Sequence, residues 1–161
     1  AWVIGESHLH LGKRYKLRCE QGMEEGVCLH VNDLVVRLNP GQEIAPARVE
    51  ALVLRWRHEE AKVVLAQQLK QCLQHYRFSG FAAPHLRVQL LIKRWGSLSP
   101  QGTMTLHSGL VQAPIACIDY VIYHELCHLV HANHSSEFFE LLSEVCPQWM
   151  ARKQLLEATV R

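Results

Sequence analysis

The sequence lacks any apolar run approaching the roughly 20 residues that a membrane-crossing helix needs, so a membrane partner is not expected. It also lacks a C-x-x-C pair. Its six cysteines (Cys19, Cys28, Cys72, Cys117, Cys127 and Cys146) are too scattered to outline a disulfide framework and read as thiols of a reducing compartment. No signal-peptide pattern is recognisable, so cytoplasm is the expected location, although the chain opens on Ala1-Trp2 rather than Met and reads as a processed or trimmed form. A dominant charge is missing too: 17 basic against 15 acidic residues leave +2, too little to argue for nucleic acid or an anionic membrane. Lys13, Arg14, Lys16 and Arg18 form a local basic cluster, which on an alternating strand is a solvated face. There is no P-loop, internal repeat, low-complexity segment or linker. What is present, 161 residues at 48% hydrophobic and 20% charged, describes a single domain, residues 1–161, with a sizeable core.

The first 40 residues read as an N-terminal antiparallel β segment. His8 to Leu11 and Tyr15 to Cys19 alternate around Gly12-Lys13, and Val27 to Val31 pairs with Leu34 to Leu38 through Asn32-Asp33. His8 and His10 share a strand face and are expected to be plain surface. Asn39-Pro40-Gly41 breaks the pattern, and Pro46 suits the first turn of a long helix running to about Arg77. Its apolar stripe includes Val49, Leu52, Val53, Trp56, Val63, Leu69 and Tyr76. Strand-like runs follow at Leu86 to Ile92, Arg94 to Leu98 and Thr103 to His107. The last of these is the expected free edge, on which an extended peptide adds as a further strand.

The chemistry concentrates in Tyr123-His124-Glu125-Leu126-Cys127-His128, a His-Glu-x-x-His motif. Residues four apart lie one above the other on a helix, so His124 and His128 can grip one ion, with Glu125 beside them to accept a proton from the attacking water. A catalytic zinc usually takes a third protein ligand, and His134 follows six residues later. The apolar spacing of Ile115, Ile118, Ile122, Leu126, Leu129 and Val130 predicts a helix opened by Pro114 and stopped near Asn133, a residue suited to a left-handed cap. Ser135 or Ser136 then caps the next helix, with Glu137 in its first turn, and the reversal brings His134 back toward its partners. A last helical region runs through Phe138, Leu141, Leu142 and Val145 and is interrupted at Pro147. Cys127 points off the histidine face as a core residue.

Taken together, Arg94-Trp95-Gly96-Ser97, Gly102-Thr103-Met104-Thr105-Leu106, Ile118 to Leu129, and Asn133-His134-Ser135-x-x-Phe138 resemble the YgjP-like metallopeptidase family, which is related to SprT-like zinc proteases. The likeness extends upstream through Gly5 to Tyr15 and through Trp56, covering nearly the whole chain. It implies an α+β, zincin-like fold with a long helix, a small sheet and a metal helix. It further implies His124, His128 and His134 as zinc ligands, Glu125 as catalytic base, and a peptide or unfolded protein as substrate. By analogy it also implies kinship with proteases of DNA–protein crosslinks, although no DNA-binding element is evident. Two departures stand out: Leu98 where members usually have Cys, and His107 where they often have Asn. Members also usually carry a further N-terminal β segment that this sequence does not show.

Three readings follow. The first is a zinc peptidase, whose oxyanion would be met by Arg94, His107, Tyr123 or His131 and whose ligand imidazoles would be oriented by Glu137, Glu140 or Asp119. The second keeps the metal but hydrolyses nucleoside triphosphates to release pyrophosphate, an activity also associated with the family, with Lys93-Arg94 holding phosphate. The third is a non-enzymatic module stapled by zinc, closed by Cys127 or His131. It leaves Glu125 without a purpose.

Overall fold

The computed structural model describes residues 2–41 and 43–160, so Ala1, on which the chain opens, lies outside the described residues. Two small sheets and four helices are arranged around two apolar clusters. The N-terminal sheet holds β1 (Ser7–His10), β2 (Lys13–Gln21), β3 (Gly26–His30) and β4 (Asp33–Leu38) in the order β1-β2-β4-β3. Both hairpins form as the alternation predicts, and β2 and β4 join them in parallel register, with Leu17 opposite Leu34. Each hairpin turn lies one residue earlier than its polar residues predict. Leu11 and Gly12 make the first, both with positive φ (50° and 83°), the backbone twist that suits a two-residue hairpin loop. Val31 and Asn32 make the second.

The helix α1 (Pro46–Leu73) begins with its proline where a missing N–H costs nothing, and it serves both clusters. Val49, Leu52 and Val53 pack under the first sheet against Leu17, Leu34, Val36 and Leu38, whereas Ala61, Leu65, Leu69 and Cys72 enter the second cluster. Its apolar stripe is narrower than the pattern predicts: Val63 and, beyond the helix, Tyr76 are exposed. His8 and His10 are not plain surface. Their strand face turns inward, so His8 stacks on Trp2 at 4.7 Å and His10 is buried against Trp56 at 5.1 Å, and burial lowers the pKa of both.

The second sheet orders β5 (His85–Gln89), β7 (Thr103–His107) and β6 (Gly96–Leu98) as β5-β7-β6. Thr103 to His107 is therefore the central strand, with Met104 and Leu106 buried, and not the free edge that the sequence led us to expect. The chain crosses back after β6 and fills the middle. A 3-10 turn at Ser108–Gln112 leads into α2 (Ile115–Cys127), and α3 (Ser136–Val145) and α4 (Trp149–Thr159) pack against α2. The tip of the first hairpin reaches this turn: Leu11 N donates to Val111 O at 2.8 Å and Gly12 N to Gln112 O at 2.9 Å.

Candidate metal centre

Pro114 starts α2, whose core face is made by Cys117, Ile118, Ile122 and Leu126, all fully buried. The helix stops at Cys127, short of the predicted end. His128 takes the cap position in right-handed conformation, and the chain tightens through His128 N to Glu125 O (3.0 Å) and Leu129 N to Leu126 O (2.9 Å). Asn133 is not left-handed. The reversal is made by this tightened turn, which needs no residue of positive φ. Cys127 is buried in the core, as its position predicts.

Ser135 then caps α3, its Oγ accepting from Phe138 N at 3.3 Å, with Glu137 in the first turn. The cap fixes the residue next to His134, and the three imidazoles converge. His134 Nε2 lies 3.1 Å from His128 Nε2 and 3.2 Å from His124 Nε2. Two ligands of a tetrahedral zinc with Zn–N near 2.05 Å stand about 3.3 Å apart. His128 Nδ1 donates to the carbonyl of His131 at 3.1 Å, so its Nε2 is a bare lone pair turned to the other two rings. With His128 Nε2 bare, a ring proton on His134 or His124 can satisfy only one of the two close contacts, whereas a cation among the three nitrogens satisfies all of them, so the donor set fits a metal ion. Among the described residues this trio is the one group of three or more His, Cys, Asp or Glu side chains close enough to share an ion.

The ring of the fully buried Phe138 lies under all three imidazoles, with centroids 4.6 to 5.1 Å away. The sequence marked Phe138 as an apolar helix position and as part of the family-like motif, without a role at the site; its distance of four residues from His134 was the available signal. Burial and the neighbouring histidines push the pKa of His124 down to about 4. Its Nδ1 is buried without a hydrogen-bond partner. The expected carboxylate partners do not orient the imidazoles: Asp119 faces α1, accepting from Gln68 Nε2 at 2.7 Å, Glu137 is bonded to Ser136, and Glu140 is exposed and makes no hydrogen bond to a ring. A carbonyl does this work for His128 instead.

Glu125 is 6% exposed, and burial raises its pKa to about 7 against the opposing pull of Arg94. It flanks a cleft of about 670 Å³ lined by the three histidines, Arg94, and the strand β6. β6 pairs on one side only, with β7, so its other edge is the one presented to the cleft. Gly96 lets that strand sit tightly: a Cβ there would stand 2.9 Å from Leu106 Cδ2, 3.2 Å from Thr105 O and 3.4 Å from Glu125 Cγ.

Of the four residues considered for oxyanion binding, Arg94 alone lines the cleft. His107 is occupied elsewhere, its Nδ1 accepting from Leu91 N (3.3 Å) and Gly109 N (3.4 Å) while its ring lies on Trp95. Tyr123 points toward α1, near Phe78 and the Cys72 thiol. His131 contributes only its carbonyl.

A family model described as YgjP-like, metallopeptidase domain, matches residues 1–159. No curated protein matches. Among solved structures, the metallopeptidase zymogen abylysin of Pyrococcus abyssi is similar at 21% identity over 58% of this chain and 90% of that one, with a TM-score of 0.50. The metallopeptidase zymogen jannalysin of Methanocaldococcus jannaschii is similar at 17% identity, 58% and 93% coverage and a TM-score of 0.42.

Proposed function

The chain belongs to the YgjP-like metallopeptidase family, a family of metal-dependent hydrolases, and on that premise we propose that it is a zinc peptidase acting on extended or unfolded polypeptide. In this reading His124, His128 and His134 hold the ion and Glu125 is the general base. The observation that carries it is the convergence of three imidazole nitrogens beside a buried carboxylate, in a cleft bordered by a strand with one unpaired edge. Three imidazoles are a donor set typical of zinc, which when bound acidifies water and polarises a carbonyl.

The chain's own residues do the rest. The edge of β6 binds the substrate backbone as an added strand and holds the scissile carbonyl over the histidines. Phe138 beneath the three rings excludes water from that side and limits their rotation. Glu125, half-ionised near neutral pH in the absence of metal, accepts the proton of the attacking water on a carboxylate oxygen and delivers it to the leaving amine nitrogen. Hydrolysis of nucleoside triphosphates has less support, because among the described residues only one Lys or Arg, Arg94, lines the cleft and a triphosphate calls for several. We read residues 1–161 as one domain, since α1 contributes to both apolar clusters, and its free thiols as fitting a reducing, cytoplasmic setting.

The test compares zinc-loaded wild type with zinc-loaded Glu125→Gln on one mixture of unfolded protein and nucleoside triphosphates, read by mass spectrometry. Peptide products from wild type, reduced about 10²- to 10⁴-fold in the variant, are expected. Pyrophosphate released by wild type alone would replace the peptidase reading with the nucleotide one.

A further inference from the structure

Arg94 is an arginine without a structural task. Four arginines are spent on ion pairs: Arg37 with Glu20 at 3.0 Å, Arg48 with Glu25 at 2.6 Å, Arg77 with Glu144, and Arg18 with Asp33 at 3.4 Å; Arg14, Arg55, Arg57, Arg87 and Arg152 make none, but of the described arginines Arg94 alone lines the cleft beside the histidines. Arg94 makes no hydrogen bond or ion pair with any described residue, although it is close enough for its charge to act on Glu125. It lies just before β6, on the exposed loop between the second sheet's strands, and its side chain lines the main cleft. A second cavity of about 190 Å³ opens beside it, walled by Trp95, Gly96, Tyr120 and Val121 and reaching His124 and Glu125. An unpaired guanidinium at the rim of an apolar-walled cavity that reaches His124 and Glu125 is a receptor for a planar anion.

The direction of the substrate follows from the strand. Antiparallel pairing is slightly more stable per residue than parallel pairing. A peptide added antiparallel to β6 therefore runs from the Leu98 end toward the Gly96 end. The residues after the scissile bond then pass Trp95, the small cavity and Arg94, and those before it lie near Ser99 and Gly102.

We propose, resting on the peptidase reading above, that Arg94 selects substrates by binding a carboxylate on the C-terminal side of the scissile bond. The stem of an acidic side chain lies against Trp95 and Tyr120, and the carboxylate pairs with the guanidinium fork. Two sources share this chemistry: an Asp or Glu side chain close after the cleavage site, and the free C-terminal carboxylate of a short product-like peptide.

The experiment uses zinc-loaded full chain and a set of peptides that differ only in the two residues after the scissile bond: Glu or Asp, Gln or Asn, and Lys. Each is prepared with a free and with an amidated C-terminus. Cleavage is read as kcat and KM, and binding is read separately with zinc-loaded Glu125→Gln. Acidic peptides are expected to be cleaved at least about tenfold better in kcat/KM than their amides, the difference lying mainly in KM and reappearing as tighter binding. Arg94→Gln should erase the ratio and Arg94→Glu should invert it in favour of Lys. A preference for Glu or Asp over Gln or Asn that survives in amidated peptides assigns the side chain as the source; a preference for the free over the amidated C-terminus, whatever the side chain, assigns the C-terminus. Equal use of Glu and Gln peptides together with equal use of free and amidated C-termini, a preference untouched by Arg94→Glu, or cleavage that places the acid on the N-terminal side of the bond each overturns the proposal while leaving the peptidase intact. Failure of wild type to cleave any peptide overturns the peptidase reading, and the proposal falls with it.

Discussion

Acidifying the metal-free protein should destabilise it through His124 in particular. In the unfolded chain this imidazole protonates near pH 6.5; in the folded chain burial and two neighbouring histidines hold it to about 4. Because the folded value is the lower one, the unfolded state binds the extra proton first, and stability is lost as pH falls from about 6.5 to about 4. Below that both states are protonated and the loss stops. A displacement of this size is worth about 2 to 3 kcal/mol between pH 7 and pH 4, a substantial part of the stability of an ordinary domain. The assay is denaturant unfolding at a series of pH values with metal chelated, comparing wild type with His124→Phe. Phe keeps a ring against Phe138 and Tyr120 but cannot titrate. His8, His10 and His107, which burial also lowers, lie away from the histidine cluster, contribute to both proteins and cancel in the difference. The variant should have the flatter profile by about 2 kcal/mol; parallel profiles would refute the claim that His124 is held neutral by its surroundings.

Ser135→Ala removes the acceptor for Phe138 N and should cost about 0.5 to 2 kcal/mol in unfolding. Because it loosens the entry of α3 beside both His134 and Phe138, zinc affinity measured by chelator competition should fall several-fold; unchanged affinity would show that the cap does not position the ligand. Gly96→Ala drives a methyl group into Leu106 and Thr105 O and should cost about 1 to 3 kcal/mol, with peptide turnover falling more than zinc binding because β6 is pushed off Glu125.

The clustering of His124, His128 and His134 was legible in the sequence because local spacing determines most of it. One helical turn separates His124 from His128, and a Ser just before Glu137 is a favoured N-cap, the place that Ser135 takes. The helix end was misjudged for an equally physical reason. Apolar periodicity at Leu129 and Val130 reports on packing, whereas termination is decided by backbone bonds such as His128 N to Glu125 O, which leave no trace in hydropathy. The central place of β7 was hidden because alternation tells which face is buried but not which strand lies between two others. Likewise nothing local distinguishes Arg94 from the paired arginines; only the fold reveals that no carboxylate comes to meet it.

The contact between the first hairpin and α2 makes the helix a lever. Gly12 abuts Pro114 so closely that a Cβ there would lie 2.8 Å from the proline ring, and the two adjacent amides tie the hairpin to the turn before it. From Pro114 to His124 the helix rises about 15 Å. A tilt of only about 4° at its base would carry the first histidine about 1 Å sideways, well beyond the roughly 0.2 Å by which metal–ligand distances vary. A sheet some 100 residues upstream in sequence thus serves as the fulcrum that keeps the three nitrogens in focus.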